Sequence, residues 1–414
     1  MSDAIFTHAY DNGLVLAAQR MPWLRSAAFT LLVPGGSVHE SADRCGLASL
    51  LSEMLDRGAG PRDSRQLVID LDNLGVDRSG FVSAAHTGLG GAAPAENLAE
   101  ALRIHADILR RPHLDETQIE PSRASVLHEL RGIEDEPAQK TMLALRRRHY
   151  AEPWGRPSQG ERDALLAANL DDIRTLFRRR YRPDGTILGV AGKFDFPALR
   201  DLVGELFDDW PVGEPESIDE QPPTNGYQHL PYDSQQTHIG IAYQGIPYRH
   251  PDYFQAWGAT GVLSGGMSAR LFTEVRERRG LCYSVHASYH TLRDRAAVFC
   301  HAGTTADRAQ QTLDVTLAEL RRLAEGVRDD ELARLKARMK SGLIMQQESS
   351  SARSSAIARD WYHLGRIRPV AELQSLVDGL TPASVNAYLA ESPPTRFTVV
   401  TLGPEPLEVP RGVS

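Results

Sequence analysis

Three residues at helical spacing are the first candidates for chemistry. Ser49, Ser52 and Glu53 stand at i, i+3 and i+4, so they share part of one face if residues 46–55 form a helix. Leu47, Leu50, Leu51, Met54 and Leu55 supply an apolar stripe, with Gly46 at its start and Gly58 at its stop. A catalytic zinc needs three nitrogen, sulfur or carboxylate ligands and an open position. A serine hydroxyl has no strong affinity for a divalent ion. Glu53 and a later carboxylate, Glu129, make only two ligands. His39, His86 and His128 are candidates for recruitment, and nothing in the sequence assigns one of them. A serine nucleophile is not indicated: no Gly-x-Ser-x-Gly turn and no histidine partner stands out.

The frame around these residues is nevertheless specific. Gly46-Leu47-Ala48-Ser49-Leu50-Leu51-Ser52-Glu53-Met54-Leu55 resembles Gly-Leu-Ala-His-Leu-Leu-Glu-His-Met-Leu of the insulinase and pitrilysin family of metallopeptidases, with its mitochondrial processing-peptidase branch. The match is residue for residue outside three positions. In the family motif His-x-x-Glu-His, the two His bind zinc and the Glu is the general base. The resemblance puts Ser49 and Glu53 at the His positions and Ser52 at the base. The family's third ligand is a Glu on a later helix. Glu129, 76 residues after Glu53, stands at that spacing. Further matches are Tyr181-Arg182-Pro183-Asp184, residues 265–272 and residues 348–353, so the resemblance covers nearly the whole chain. It also gives a role to Arg276 and Tyr283, seven residues apart. Active members of the family carry such a pair in the second half-domain, where it holds the substrate carbonyl and helps stabilise the tetrahedral oxyanion. That chemistry needs donors aimed where negative charge develops. Gly265 and Gly266 fall where the non-zinc subunit of the processing peptidase has a longer glycine-rich loop. A substrate contact and a helix C-cap turn are both open readings of them.

The elements that must position these residues follow from periodicity. Asn12-Gly13 predicts a turn between strands at 6–10 and 14–18, and 27–33 reads as a third strand ended by Pro34-Gly35-Gly36. Helices are predicted at 66–74, 95–109, 115–148 with a break near Pro137, 170–179 and 196–207, and strands at 80–86 and 186–190. The run Arg146-Arg147-Arg148-His149 reads as a solvated helix face. The stretch 211–226 is rich in proline and acid and poor in apolar residues, which marks a linker. Beyond it come strands at 237–243, 283–289, 296–302 and 397–402 and helices at 253–263, 308–324 and 329–347. Strand, glycine turn and helix occur in the same order in both halves, a hint of duplication. The class is α+β. The resemblance implies two related half-domains, each a mainly antiparallel sheet with helices packed on one face: residues 1–212, a linker at 213–226, and residues 227–414.

Composition narrows the partners. The chain has 414 residues, 41% hydrophobic and 24% charged, as expected of a globular protein. A formal charge of −8 argues against a general nucleic-acid binder, which needs a basic footprint. No apolar run reaches the roughly 18–20 residues of a membrane span. The N-terminus shows no basic region followed by an apolar core, so no secretory signal is expected. Three cysteines and no Cys-x-x-Cys fit a reducing, cytoplasmic setting. The resemblance implies a non-zinc subunit in a heterodimer with a zinc-bearing family member, with no cofactor on this chain. Its expected substrate is a peptide or unfolded segment bound in extended form. Two other readings are an independent zinc peptidase with unorthodox ligands and a catalytically dead scaffold or peptide-binding protein.

Overall fold

The computed structural model describes residues 4–214 and 216–410. Residues 1–3, which carry part of the N-terminal reading, and Pro215 of the linker lie outside them. By its contacts the chain forms two compact units, each assembled from separated segments. One holds the chain up to Gly132, Arg156–Glu220 and Met345–Pro369. The other holds Ile133–Gly155, Gln221–Ile344 and the chain from Val370.

The first unit is built on a six-stranded sheet. Its strands are β1 (Ala4–Ala9), β2 (Val15–Arg20), β3 (Ser26–Val33), β6 (Asp77–Val82), β7 (Thr87–Pro94) and β8 (Ile187–Gly192), in the order β1-β2-β8-β3-β7-β6. A two-residue pair, β4 (Gly58–Ala59) and β5 (Arg62–Asp63), stands apart from it. β3 and β8 are almost wholly buried and read as continuous apolar runs, because both faces of the sheet are covered. One cover is the helix Ser350–Leu364, which lies on β8, β3 and β2. Arg353, 1% exposed, donates from its guanidinium to the Gln19 side chain, and Thr30 and Ser354 share a 3.0 Å hydrogen bond.

Among the described residues the second unit has five strands: β9 (Tyr227–Pro231), β10 (Gln236–Gly245), β11 (Cys282–Thr291), β12 (Ala296–Thr305) and β13 (Thr398–Gly403). Their order is β11-β12-β10-β13-β9. Read from the other end, this is the order of β2-β8-β3-β7-β6. The directions agree as well. β9 runs parallel to β13 as β2 does to β8, and every other neighbouring pair in the two series is antiparallel. The duplication hinted at in the sequence is therefore present in the topology, and the fold is the expected α+β pair of related half-domains. Helix Pro137–His149 covers β10 and β13 as Ser350–Leu364 covers the first sheet.

Three sequence expectations change. The single strand expected at 80–86 is a hairpin of β6 and β7, in register from Asp77–Ala92 to Val82–Thr87. β7 carries three glycines, which lower strand propensity and hide it. One of them is required: the ring of Phe81 lies across Gly88 and leaves no room for a Cβ. The helix expected from residue 95 begins at Leu98, after a 3₁₀ turn at Ala95–Asn97. The Arg146–His149 run is not a free face. Arg146 lies 5.8 Å over the Phe299 ring and His149 bonds the Thr398 hydroxyl at 2.9 Å, because this helix packs on a sheet. No helix among the described residues is long and apolar enough to cross a membrane.

Candidate functional site

The helix Leu47–Leu55 forms because its apolar stripe buries Leu47, Leu50, Leu51, Met54 and Leu55 in the first core. Its N-terminus is held by a device that the sequence reading did not single out. Glu40, 6% exposed, accepts from the amides of Gly46 at 3.0 Å and Ala48 at 2.7 Å. It thereby satisfies two amides at the helix start. Burial pushes its carboxyl up to about 7, with the two amide bonds and Arg156 pulling the other way. Gly46 adopts φ +104°, and a Cβ there would meet Gly160 Cα at 2.9 Å. The only signal in the sequence was an acid six residues before a helix-starting glycine.

The three chemical positions of this helix are engaged in structure. Ser49 Oγ donates to the Ser158 carbonyl at 2.5 Å, tying the 156–160 loop to the helix. Glu53 is paired with Arg57 at 2.5 Å, one turn on. Ser52 and Glu53 line a cleft of about 590 Å³. Glu129 sits exposed on the helix Ile119–Glu134 and is not among the residues lining that cleft. Zinc does not fit this donor set: two hydroxyls, one of them already donating, and a carboxylate already paired with a guanidinium. No group of three His, Cys, Asp or Glu that could hold a metal ion occurs among the described residues. His39 and His105 have lowered pKa values, both to about 4 and mainly through burial, so both are neutral at pH 7.

β6 lies against this helix at the open end of the sheet. Its residues Asp77–Phe81 are all exposed. An edge strand of this kind carries unpaired backbone groups to which an extended peptide can add.

Arg276 and Tyr283 are brought together in the second unit. Arg276 lies on a π-helical turn, Phe272–Glu277, and Tyr283 lies on β11. The guanidinium stands 4.8 Å over the ring of Phe272 and 5.2 Å over the ring of Tyr283, so the three side chains stack. Two backbone irregularities produce this. The wide π turn ends with Arg278 N–H on the Thr273 carbonyl at 2.9 Å. A bulge between Cys282 and Ser284 takes Tyr283 out of the ladder with β12 and re-aims it. Tyr283 is 84% exposed, whereas Cys282 and Val285 beside it are buried. The neighbouring cations are spent elsewhere: Glu274 takes Arg278 at 2.5 Å and Arg279 at 2.7 Å.

Gly265 follows the helix Tyr253–Ser264, donates to the Gly261 carbonyl at 2.5 Å and accepts from Arg338. It is a helix C-cap. Gly265 and Gly266 also line a cleft of about 370 Å³ with Met267 and Leu335.

Comparison with known proteins places this geometry in context. Residues 15–159 match the family model described as insulinase (peptidase family M16), and residues 167–339 match that of the peptidase M16 inactive domain. An uncharacterized zinc protease of Bacillus subtilis, YmxG, is 26% identical over 381 residues, covering 91% of this chain and 92% of the relative. A Mycobacterium bovis uncharacterized zinc protease, Mb2805c, is 28% identical over 409 residues, covering 95% of this chain and 92% of the relative. Among solved structures, a peptidase M16 inactive domain from Pseudomonas fluorescens superposes with a TM-score of 0.86 at 20% identity, covering 98% of this chain and 99% of the other. A protease from Helicobacter pylori gives 0.88 at 19% identity, covering 97% and 100%.

Proposed function

The chain belongs to the insulinase family, peptidase family M16, and on that premise we propose that it is the zinc-less subunit of a heterodimeric metalloendopeptidase. It binds an extended peptide and supplies Arg276 and Tyr283 to the site of a zinc-bearing partner. The carrying observation is the contrast between the two candidate sites. The helix Leu47–Leu55 offers no zinc ligand set, yet Arg276 and Tyr283 are stacked by a π turn and a bulge. Both irregularities give up regular hydrogen bonding, and such features concentrate at functional sites. A buried core role does not account for a tyrosine this exposed. Together the pair presents a guanidinium and a phenol, two donors suited to a developing oxyanion. The exposed edge of β6 is the peptide's docking strand, and the Gly265–Gly266 turn is a second substrate contact.

The test is reconstitution with a zinc-bearing member of the family. The mixture should cleave peptides well above either chain alone. Arg276→Ala or Tyr283→Phe should lower kcat by roughly 10²–10³, about 2.7–4 kcal/mol, the usual cost of one oxyanion donor. Association of the two chains should be unchanged. An unaltered rate in both variants would leave the scaffold reading in its place.

A further inference from the structure

The π turn that carries Arg276 holds a carboxylate on its core side. Leu271 and Val275 are fully buried there, and Glu274 beside them is 6% exposed. Two guanidiniums close on that carboxylate. Oε1 accepts from Arg278 at 2.5 Å and Oε2 from Arg279 at 2.7 Å, and Arg279 also donates to the Glu274 main-chain carbonyl at 2.7 Å. The Arg279 hydrogen bond holds the Glu274 carboxyl below the usual carboxylate range although burial pushes it up, so the group is ionised at pH 7. An apolar side chain at this position would fill the same core with no charge to compensate. A buried ion pair is a weak source of stability, and its best-attested use is to fix one conformation.

The spacing of the three residues matches the winding of the turn. Arg278 and Arg279 stand at i+4 and i+5 from Glu274. In an α-helix of 3.6 residues per turn, i+4 lies close to residue i and i+5 about 140° away from it, which parts the two guanidiniums. A π turn is closed by i→i+5 bonds, and its wider winding brings i+5 back over i. Here the Arg278 amide donates to the Thr273 carbonyl, five residues back, at 2.9 Å, and the Glu274 carboxylate lies between Arg278 and Arg279. Arg276, at i+2, falls on the opposite side of the turn, where its guanidinium stacks on Phe272 and Tyr283. It has no ion-pair partner among the described residues. The buried acid of its own turn is occupied by the other two cations, which leaves Arg276 to the rings.

We propose that Glu274 is a positioning residue: by clamping Arg278 and Arg279 it holds the turn in its π winding and so stacks Arg276 on Tyr283. The use of that stack rests on reading the pair as donors to a zinc-bearing partner's site. Glu274 acts through Arg276 and takes no part in the reaction itself. Releasing the clamp lets the turn rewind towards α-helical spacing, which carries the Arg276 guanidinium away from the Tyr283 ring. A neighbouring buried acid provides the comparison. Glu319, 4% exposed on the helix Ala309–Arg322, takes Arg322 at 2.9 Å within its own helix. Its carboxyl feels both Glu274 and Arg279, yet this pair spans an ordinary i,i+3 step and holds no part of the π turn.

The experiment uses the full chain with Tyr283 alone replaced by fluorotyrosine, and reads its fluorine NMR shift, which responds to the guanidinium over the ring. Arg276→Ala fixes the shift of the unstacked ring. Glu274→Ala should move the resonance most of the way to that position, and Glu274→Gln, of equal length with one acceptor oxygen, should fall between. The Arg278→Ala/Arg279→Ala variant opens the same clamp from its exposed side and should match Glu274→Ala, so it carries the test if the core variant does not fold. Arg322→Ala should leave the resonance at the wild-type position. In the reconstituted pair, Glu274→Ala should lower kcat by roughly tenfold to 100-fold, the cost of a misplaced group, with KM nearly unchanged. A wild-type shift in both clamp variants overturns the proposal. An equal movement in Arg322→Ala does so too, because it would mean general loosening of this part of the chain. If Arg276→Ala leaves the reconstituted rate unchanged, the catalytic reading fails, while the fluorine shift, which needs no partner, still decides whether Glu274 sets the stack.

Discussion

At the scale of single residues, the positions that align with the family's zinc motif are engaged in local structure. Ser49 donates to the Ser158 carbonyl and holds the 156–160 loop. Glu53 likewise turns to Arg57. The degenerate motif was legible in the sequence because helix periodicity and motif spacing are both local. Glu40 was not, since its bonds to Gly46 and Ala48 depend on a turn that periodicity does not describe. Replacing it by alanine leaves two helix-start amides without acceptors, and should cost about 2 kcal/mol. Its pH signature is distinctive. The folded carboxyl titrates near 7, above the free value, so the folded state keeps its proton to higher pH. The corresponding stability is present below the unfolded pKa and is lost as pH rises through 7. Buried His39 and His105 act in the opposite sense, losing stability as pH falls from 6.5 towards 4. The difference in melting temperature between wild type and Glu40→Gln isolates Glu40. It should shrink as pH is raised from 5 to 8, and a difference that grows would contradict the assignment.

At the scale of elements, most helices and most strands of the first sheet were readable, whereas the glycine-rich β7 and the helix Ser350–Leu364 were not. Amphipathic periodicity locates Leu47–Leu55 and Phe196–Phe207 directly. β7 escapes because its glycines answer to neighbours across the sheet rather than to strand propensity. The same logic applies to β8, where Gly189 faces the helix Ser350–Leu364. A Cβ at Gly189 would lie 2.9 Å from that of Ala358 and closer still to the backbone carbonyl of Ser354. Backbone cannot yield as a flexible side chain can, so the helix must lift from the sheet. Gly189→Ala should destabilise the protein by roughly 2 kcal/mol, the range of core overpacking. Thermal unfolding would show it, and an unchanged melting temperature would mean that the helix sits more loosely on β8 than the side-chain bonds of Arg353 and Thr30 imply. The irregular elements around Arg276 were also invisible: the seven-residue spacing to Tyr283 locates the pair, but neither a π turn nor a bulge has a signature in hydrophobic pattern.

At the scale of the molecule, duplication explains how one chain carries two similar sheets, and an exchange of helices explains how it is tied together. All strands of the first sheet precede residue 213 and all strands of the second follow residue 226. Yet Pro137–His149 belongs to the unit of the second sheet and Ser350–Leu364 to that of the first. The acidic stretch between is exposed over most of its length, and is attached at a few points. Glu216 takes Arg179 at 2.8 Å and Arg180 at 2.5 Å, and Gln221 exchanges backbone bonds with Glu152. Residues 213–226 remain the proposed joint, and limited proteolysis should cut there first, giving two fragments of similar size. A simple two-domain chain would then fall apart into halves. Here each unit would still contain a helix from the other fragment. Leu145 lies fully buried against Ala242 and Phe299, and Ile357 against Ala17. Burial of such side chains contributes about 1.5–3 kcal/mol each, and several are contributed on both sides of the cut. The nicked protein should therefore elute as a single species in native gel filtration and separate only in denaturant. Two fragments eluting apart without denaturant would show that the exchanged helices do not hold the units, and a first cut within 95–109 would place the joint elsewhere.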